Sequence, residues 1–284
     1  GTKTVYAQFK DAAGNVATAV SDTITLDNVA PSVPTLQSPS NNSTSNDNTP
    51  LLNWSDSSGS PVSYNLQVDD SSGFGSPVVN GSYSVSGTTL STLSDGEYYW
   101  RVRSKDAAGN YSSFTSAFKF TIDTAAPTSN SILINGTDTY TTSTSVTLTL
   151  ASTGASQMRF KNESGGTYTS YETYSTSKSW TLGSSNGTKT VYAQFKDAAG
   201  NVATAVTDTI TLDNVAPTAG TVADGTGSDI DVQASGSVIQ ANWTGFSDAT
   251  SGINIYLWAI GTTSGGTQTM NWTNTGVSGT TGTK

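Results

Sequence analysis

Apolar residues along this chain recur at every second position over short runs, and nowhere do they keep the 3.6-residue spacing of a helix. In the first run Val5, Ala7 and Phe9 fall on one side, with Tyr6, Gln8 and Lys10 on the other. Ala12–Asn15 supplies a turn, and Val16–Asp27 is predicted to return as the partner strand. Further on, strands are predicted at Leu52 and Trp54, at Tyr64, Leu66 and Val68, at Tyr98, Trp100 and Val102, and over Ala117–Ile122. A second series follows at Val146, Leu148 and Leu150, at Met158 and Phe160, at Trp180 and Leu182, and at Val191, Ala193 and Phe195. The last strands are predicted around Ser237–Trp243 and Ile253–Gly261. The chain is therefore expected to be all-β.

Internal repeats set the organisation. Gly1–Pro31 recurs at Gly187–Pro217 with one change, Ser21 to Thr207. A shorter echo, Asp106-Ala-Ala-Gly-Asn110, repeats Asp11–Asn15 and Asp197–Asn201. Each copy is followed by an Asp-x-x-Ala-Pro mark, at Asp27…Pro31, Asp123…Pro127 and Asp213…Pro217. These marks divide the chain into 1–27, 28–124, 125–214 and 215–284, the first and last incomplete. Modules of about 90 residues, with seven short strands and turns every 8–12 residues, have the pattern of an immunoglobulin-like sandwich.

Residues 28–124 resemble a fibronectin type III domain, with Trp54 on an early strand and Leu93-Ser-Asp-Gly-Glu-Tyr98 in the form of a tyrosine corner. The last segment resembles the same type through Ala241-Asn-Trp243, Gly245-Phe246 and Ser251-Gly-Ile253…Tyr256. The first and third segments resemble bacterial Ig-like modules of large surface proteins and adhesins, through Thr190–Asn201 and Thr209–Asp213. The resemblance implies tandem β-sandwiches in an elongated array, placed outside the cell, serving as a spacer or adhesive shaft. It also implies neighbouring modules as partners and calcium at the junctions.

Residues 1–27 hold what would be the last two strands of a module, while 217–284 stops before a closing hairpin. Two readings follow. The chain is a window from a longer array, or the hairpin of one chain completes the last module of the next and builds a filament.

In an Ig-like sandwich the turn between the last two strands sits where the first strand enters. Asp27 should then lie near Asp106, Asp123 near Asp197, and Asp213 near Asp248 in the loop after the Trp243 strand. Paired carboxylates with carbonyls suit calcium, which takes six to eight oxygens. The other reading is turn chemistry alone, an Asp accepting from nearby backbone amides, with proline fixing the exit.

Composition narrows the chemistry. The chain has 284 residues, a formal net charge of −9, and neither His nor Cys. That removes serine triads, disulfides and thiolate metal sites. Twelve basic residues against 21 acidic ones argue against nucleic acid, and no apolar run is long enough to span a bilayer. No signal peptide opens the chain. Tyr168, Tyr171 and Tyr174, with Trp272 and Tyr140, are candidate platforms for surface glycans. They support the alternative of a carbohydrate-binding accessory region of an extracellular polysaccharide-active enzyme. Glu97, Glu163 and Glu172 form no obvious glycosidase pair, and no catalytic site is expected. Asn42, Asn80, Asn135 and Asn186 lie in glycosylation sequons.

Overall fold

In the computed structural model, residues 1–225, 228–229, 232, 239–264, 266–274, 276 and 282–283 are described, and every regular element among them is a strand. No helix there is long and apolar enough to cross a membrane. The chain divides into two units, Gly1–Ala126 with Asp197–Asn201, and Pro127–Lys196 with Val202–Lys284.

The first unit opens with an antiparallel hairpin of β1 (Thr2–Ala7) and β2 (Val20–Thr25), in register from Thr2 opposite Thr25 to Ala7 opposite Val20. The expected return strand from Val16 starts later, at Val20; before it, Val16 makes only a bridge to Lys10. A sandwich follows, built from β3 (Leu36–Ser38), β4 (Ser43–Ser45), β5 (Leu51–Trp54), β6 (Pro61–Asp69), β7 (Val79–Tyr83), β8 (Gly87–Thr89), β9 (Gly96–Asp106) and β10 (Phe118–Ile122). One sheet runs β3-β5-β8 and the other β4-β10-β9-β6-β7. The expected alternation decides what is inside: Leu52, Trp54, Leu66, Val68, Trp100, Val102 and Phe120 share one core. The tyrosine corner forms, with the Tyr98 hydroxyl donating to the Ser94 carbonyl at 3.0 Å.

The second unit holds β11 (Thr128–Ile134), β12 (Tyr140–Thr141), β13 (Ser145–Thr153), β14 (Gln157–Asn162), β15 (Glu172–Thr173), β16 (Ser177–Thr181), β17 (Gly187–Lys196) and β18 (Val206–Leu212). Its sheets are β11-β13-β16 and β12-β18-β17-β14-β15, closed over Ile134, Leu148, Met158, Phe160, Val191, Phe195 and Ile210. Beyond them lie β19 (Thr221–Asp224), β20 (Ala241–Thr244), β21 (Leu257–Ile260), β22 (Met270–Asn274) and β23 (Gly282–Thr283). They form the sheets β19-β20-β23 and β21-β22. Ser237 and Val238, expected to open one of these strands, fall outside the described residues.

Each sandwich has eight strands where seven were expected, because the leading segment serves both sheets. β3 pairs antiparallel with β5, and then β4 pairs parallel with β10. In the second sandwich β11 pairs antiparallel with β13, and β12 parallel with β18. One segment thus covers an edge in each sheet, leaving fewer unpaired backbone groups for stray association.

The repeat provides an internal control. Val191, Phe195 and Ile210 are 0, 0 and 2% exposed, while their counterparts Val5, Phe9 and Ile24 are 64, 69 and 65% exposed. Both copies form the hairpin, but only the second has an opposing sheet to bury it. Since burial rather than local pairing supplies most of a hairpin's stability, hydrogen exchange should be fast in β1–β2 and slow in β17–β18. The copies must be read on peptides that include Ser21 or Thr207, the one position that tells them apart; equal protection would contradict this account.

Candidate functional site

The three Asp-Ala-Ala-Gly-Asn segments fold alike. The Asp main-chain amide donates to the Asn carbonyl, at 2.9 Å in Asp11–Asn15 and 3.1 Å in Asp106–Asn110 and Asp197–Asn201. In return the Asn amide donates to the Asp Oδ1 at 2.8, 2.9 and 2.8 Å. The fourth residue takes a left-handed φ of 93, 96 and 102° at Gly14, Gly109 and Gly200, a conformation that favours glycine. Each loop is then clipped by a bridge, Lys10 to Val16, Lys105 to Tyr111 and Lys196 to Val202.

The Asn side chain completes the device. Its Nδ2 donates to the Asp Oδ2 at 2.8, 2.9 and 2.9 Å in the three copies. A primary amide has a second hydrogen, and two of the copies use it. Within the first unit, Asn110 Nδ2 also donates to the Asp27 carbonyl at 3.1 Å, and Asn201 Nδ2 to the Asp123 carbonyl at 2.7 Å. The Asp197–Asn201 turn is held there a second time, by the Asn46 amide donating to the Ala199 carbonyl at 3.2 Å.

The segments of Asp27 and Asp106, and of Asp123 and Asp197, are therefore brought together through an asparagine. Both oxygens of Asp106 and Asp197 already accept N–H donors. Asp27 and Asp123 turn back on their own segments, accepting from the amides of Val29 at 3.0 Å and Ala125 at 3.1 Å. At these two places the carboxylates accept from amides of their own turns and segments.

Asp213 and Asp248 are arranged differently. Both line one cavity of about 720 Å³ in the second unit, together with Asp138. Asp213 accepts from Asn186 Nδ2 at 3.1 Å and the Val215 amide at 3.2 Å. Asp248 accepts from three amides, Thr250, Ser251 and Gly252, at 3.0, 2.8 and 3.1 Å. Among the described residues no three carboxylates stand close enough together to hold a metal ion.

Sequence reasoning missed the cation–aromatic stacks on the outer faces. Arg101 lies over Phe74 and Phe114 at 3.9 and 4.3 Å, and Arg103 over Tyr111 at 4.0 Å. In the second sandwich Arg159 lies over Tyr168 and Tyr171 at 4.5 and 4.6 Å, and Lys196 over Tyr171 at 4.1 Å. The Arg101-x-Arg103-x-Lys105 alternation opposite Trp100 and Val102 was the available signal. Tyr168 and Tyr171, two of the candidate glycan platforms, thus each carry a cation over the ring, and Tyr174 packs edge-on against Phe195 at 5.9 Å. Tyr140 lines the acidic cavity and Trp272 a separate apolar one. The three glutamates are tied apart: Glu97 to Lys119 at 2.6 Å, Glu172 to Lys178 at 2.7 Å, and Glu163 to the Thr190 amide at 3.3 Å.

The first sandwich, with its tyrosine corner and its Asp–Asn turn, can be set beside known families. Residues 35–124 match the bacterial Ig-like domain family. Among solved structures, the fibronectin(III)-like modules of Clostridium thermocellum CbhA are similar at 12% identity and a TM-score of 0.43, over 63% of this chain and 93% of that one. Chicken CNTN1 FN1–FN3 domains are similar at 12% identity and a TM-score of 0.43, over 74% of this chain and 75% of that one. No curated protein matches.

Within this Ig-like module, the hydrogen bonds from the Asn110 side chain and from the turn amides hold the Asp106 carboxyl below its usual range. A folded pKa lowered in this way stabilises above the ordinary carboxylate value near 3.9, and the stabilisation is lost as pH falls through the folded value. Asn110→Ala should lower the melting temperature by about 4 °C or more at neutral pH. It should also flatten the fall in melting temperature between pH 5 and pH 3. A full acid limb in the variant would contradict the assignment.

Proposed function

We propose that this chain is a non-catalytic repeat region of an exported cell-surface protein, extending and spacing what the rest of that protein carries. The observation behind this reading is the repeated asparagine clamp. Asn110 and Asn201 each spend one amide hydrogen on their own turn and the other on a carbonyl shortly before an Ala-Pro pair. A turn that recurs with the repeat and grips the neighbouring strand exit is a mechanical device, and it works without any reacting group.

Composition agrees with that work. An acidic surface with few cations resists association, and a chain without cysteine needs no oxidising step to fold. Single-molecule pulling tests the role. Two cooperative events should appear, one for each of the cores built from Leu36–Ile122 and Ile132–Ile210. Asn110→Ala and Asn201→Ala should lower the unfolding force, while Asn15→Ala, whose second hydrogen grips no such carbonyl among the described residues, leaves it unchanged. A glycan array should show no saturable binding. Saturable binding that disappears in Trp272→Ala would overturn the spacer reading in favour of a carbohydrate-binding region.

Calcium enters this proposal at one place, the cavity lined by Asp213 and Asp248, where both carboxylates accept their donors through Oδ1, whereas Asp106 and Asp197 accept through both oxygens. Calcium against chelator should then raise the melting temperature in the wild type and in Asp106→Asn, and the rise should vanish in Asp213→Asn/Asp248→Asn. Identical melting with and without the ion would remove calcium from the account.

A further inference from the structure

On the outer face of each five-stranded sheet the cations follow a pattern that neither the core nor the turns require. β9 and β17 are equivalent strands, each running into an Asp-Ala-Ala-Gly-Asn turn, at Asp106 and Asp197. In the first sandwich the outward cross-strand pairs next to that turn are Ser63 with Lys105, Asn65 with Arg103, and Gln67 with Arg101. In the second they are Gln157 with Lys196, Arg159 with Gln194, and Lys161 with Tyr192. Every row holds one cation and one neutral residue. The cation stands on β9 in all three rows of the first sandwich, but on β14 in two rows of the second. The place in the sequence changes while one positive charge per row is kept. These six side chains are half of the 12 basic residues of an acidic chain.

The charges are held in place without being neutralised. Arg101 donates to Gln67 Oε1 at 2.9 and 2.7 Å, Arg103 to Asn65 Oδ1 at 3.3 Å, and Arg159 to Gln194 Oε1 at 2.9 and 2.5 Å. Lys161 donates to the Ser164 carbonyl at 2.6 Å. An aromatic ring lies against each of the six, and all six are half-buried. Among the described residues the ion pairs belong to other cations, Lys119 and Lys178. Burial and the charge of Arg103 lower the pKa of Arg101 from its ordinary value, and the attraction of Asp69 offsets only part of this. The cationic stretch also has ends. Past the third row come Asp69, opposite Tyr99, and Glu163, whose main-chain amide donates to the Thr190 carbonyl; past the first come Asp106 and Asp197.

We infer that each of these faces docks a short extended peptide segment of a partner protein, with acidic side chains at alternate positions. Rows on one face of a sheet are about 7 Å apart, and so are alternate side chains of an extended peptide. Three carboxylates on such a segment therefore meet three cations row for row. Each guanidinium spends one edge on an amide oxygen and keeps further N–H groups for a carboxylate. The neutral acceptors and the rings fix the heads beforehand, so less side-chain freedom is lost on binding. A long polyanion would run on into the acids at either end, whereas about 14 Å of positive charge suits a segment that is acidic over three alternate residues. The role goes beyond spacing, because it gives each sandwich a partner of defined charge.

Fluorescence anisotropy of the full chain with a labelled Thr-Glu-Thr-Glu-Thr-Glu-Thr peptide tests this. At low salt the binding should saturate at two sites per chain, and it should weaken as salt is added. Lys105→Gln and Lys196→Gln remove charges that no hydrogen bond among the described residues uses. Each should weaken its own site by up to about fivefold. Arg103→Gln/Lys105→Gln should leave a single site, and the lysine variants keep the test decisive if an arginine variant misfolds. The same peptide with glutamine for glutamate should not bind, and one with its three glutamates in a row should bind more weakly. No saturable binding, indifference to salt or to the lysine variants, or equal binding of the two glutamate peptides would overturn the inference. So would inorganic polyphosphate binding more tightly than the alternating peptide, since a polymer would then be the better partner. None of these outcomes bears on the pulling events that test the spacer role.

Discussion

A primary amide has two hydrogens, and the junction turns of this protein depend on both being used. With one, Asn110 and Asn201 close a five-residue loop onto its own aspartate; with the other they hold a main-chain carbonyl far away in sequence. The loop must be tight for the second hydrogen to point outward, and the tightness comes from the glycine at left-handed φ and the aspartate that receives the amides behind it. Replace the asparagine with aspartate and the loop would face two acids with no donor left over. The motif is therefore a unit of hydrogen-bond geometry, and its acidic residue is the anchor of the turn rather than its reaching arm.

That division of labour explains why the site was only half legible from the sequence. The pole at which Asp106 meets the Asp27 segment followed from strand order alone, and so did the Asp123–Asp197 meeting. What strand order cannot supply is which atom spans the gap. Carboxylates attract attention because they carry charge, whereas Asn15, Asn110 and Asn201 read as turn residues with nothing further to do. The fold was easier, since Leu52, Trp54, Trp100, Phe160 and Phe195 sit where period-two alternation puts them. The eighth strand was missed because β4 and β12 are three and two residues long, too short for any alternation to register. The stacks of Arg101, Arg103 and Arg159 were missed because outward-facing positions are read as solvent-facing by default, although a guanidinium above an aromatic ring is favourable even at a surface.

The two copies of the hairpin separate local from tertiary causes more cleanly than substitutions do. The sequence is the same but for Ser21 and Thr207, the three hydrogen bonds that tie Asp to Asn in the turn agree to within 0.2 Å, and the strand alternation is shared. Everything local is thus present in both. Only the neighbours differ, and with them the fate of Phe9 against Phe195 and of Ile24 against Ile210. A β-hairpin of this kind carries its shape within itself and takes its stability from whatever sheet lies opposite.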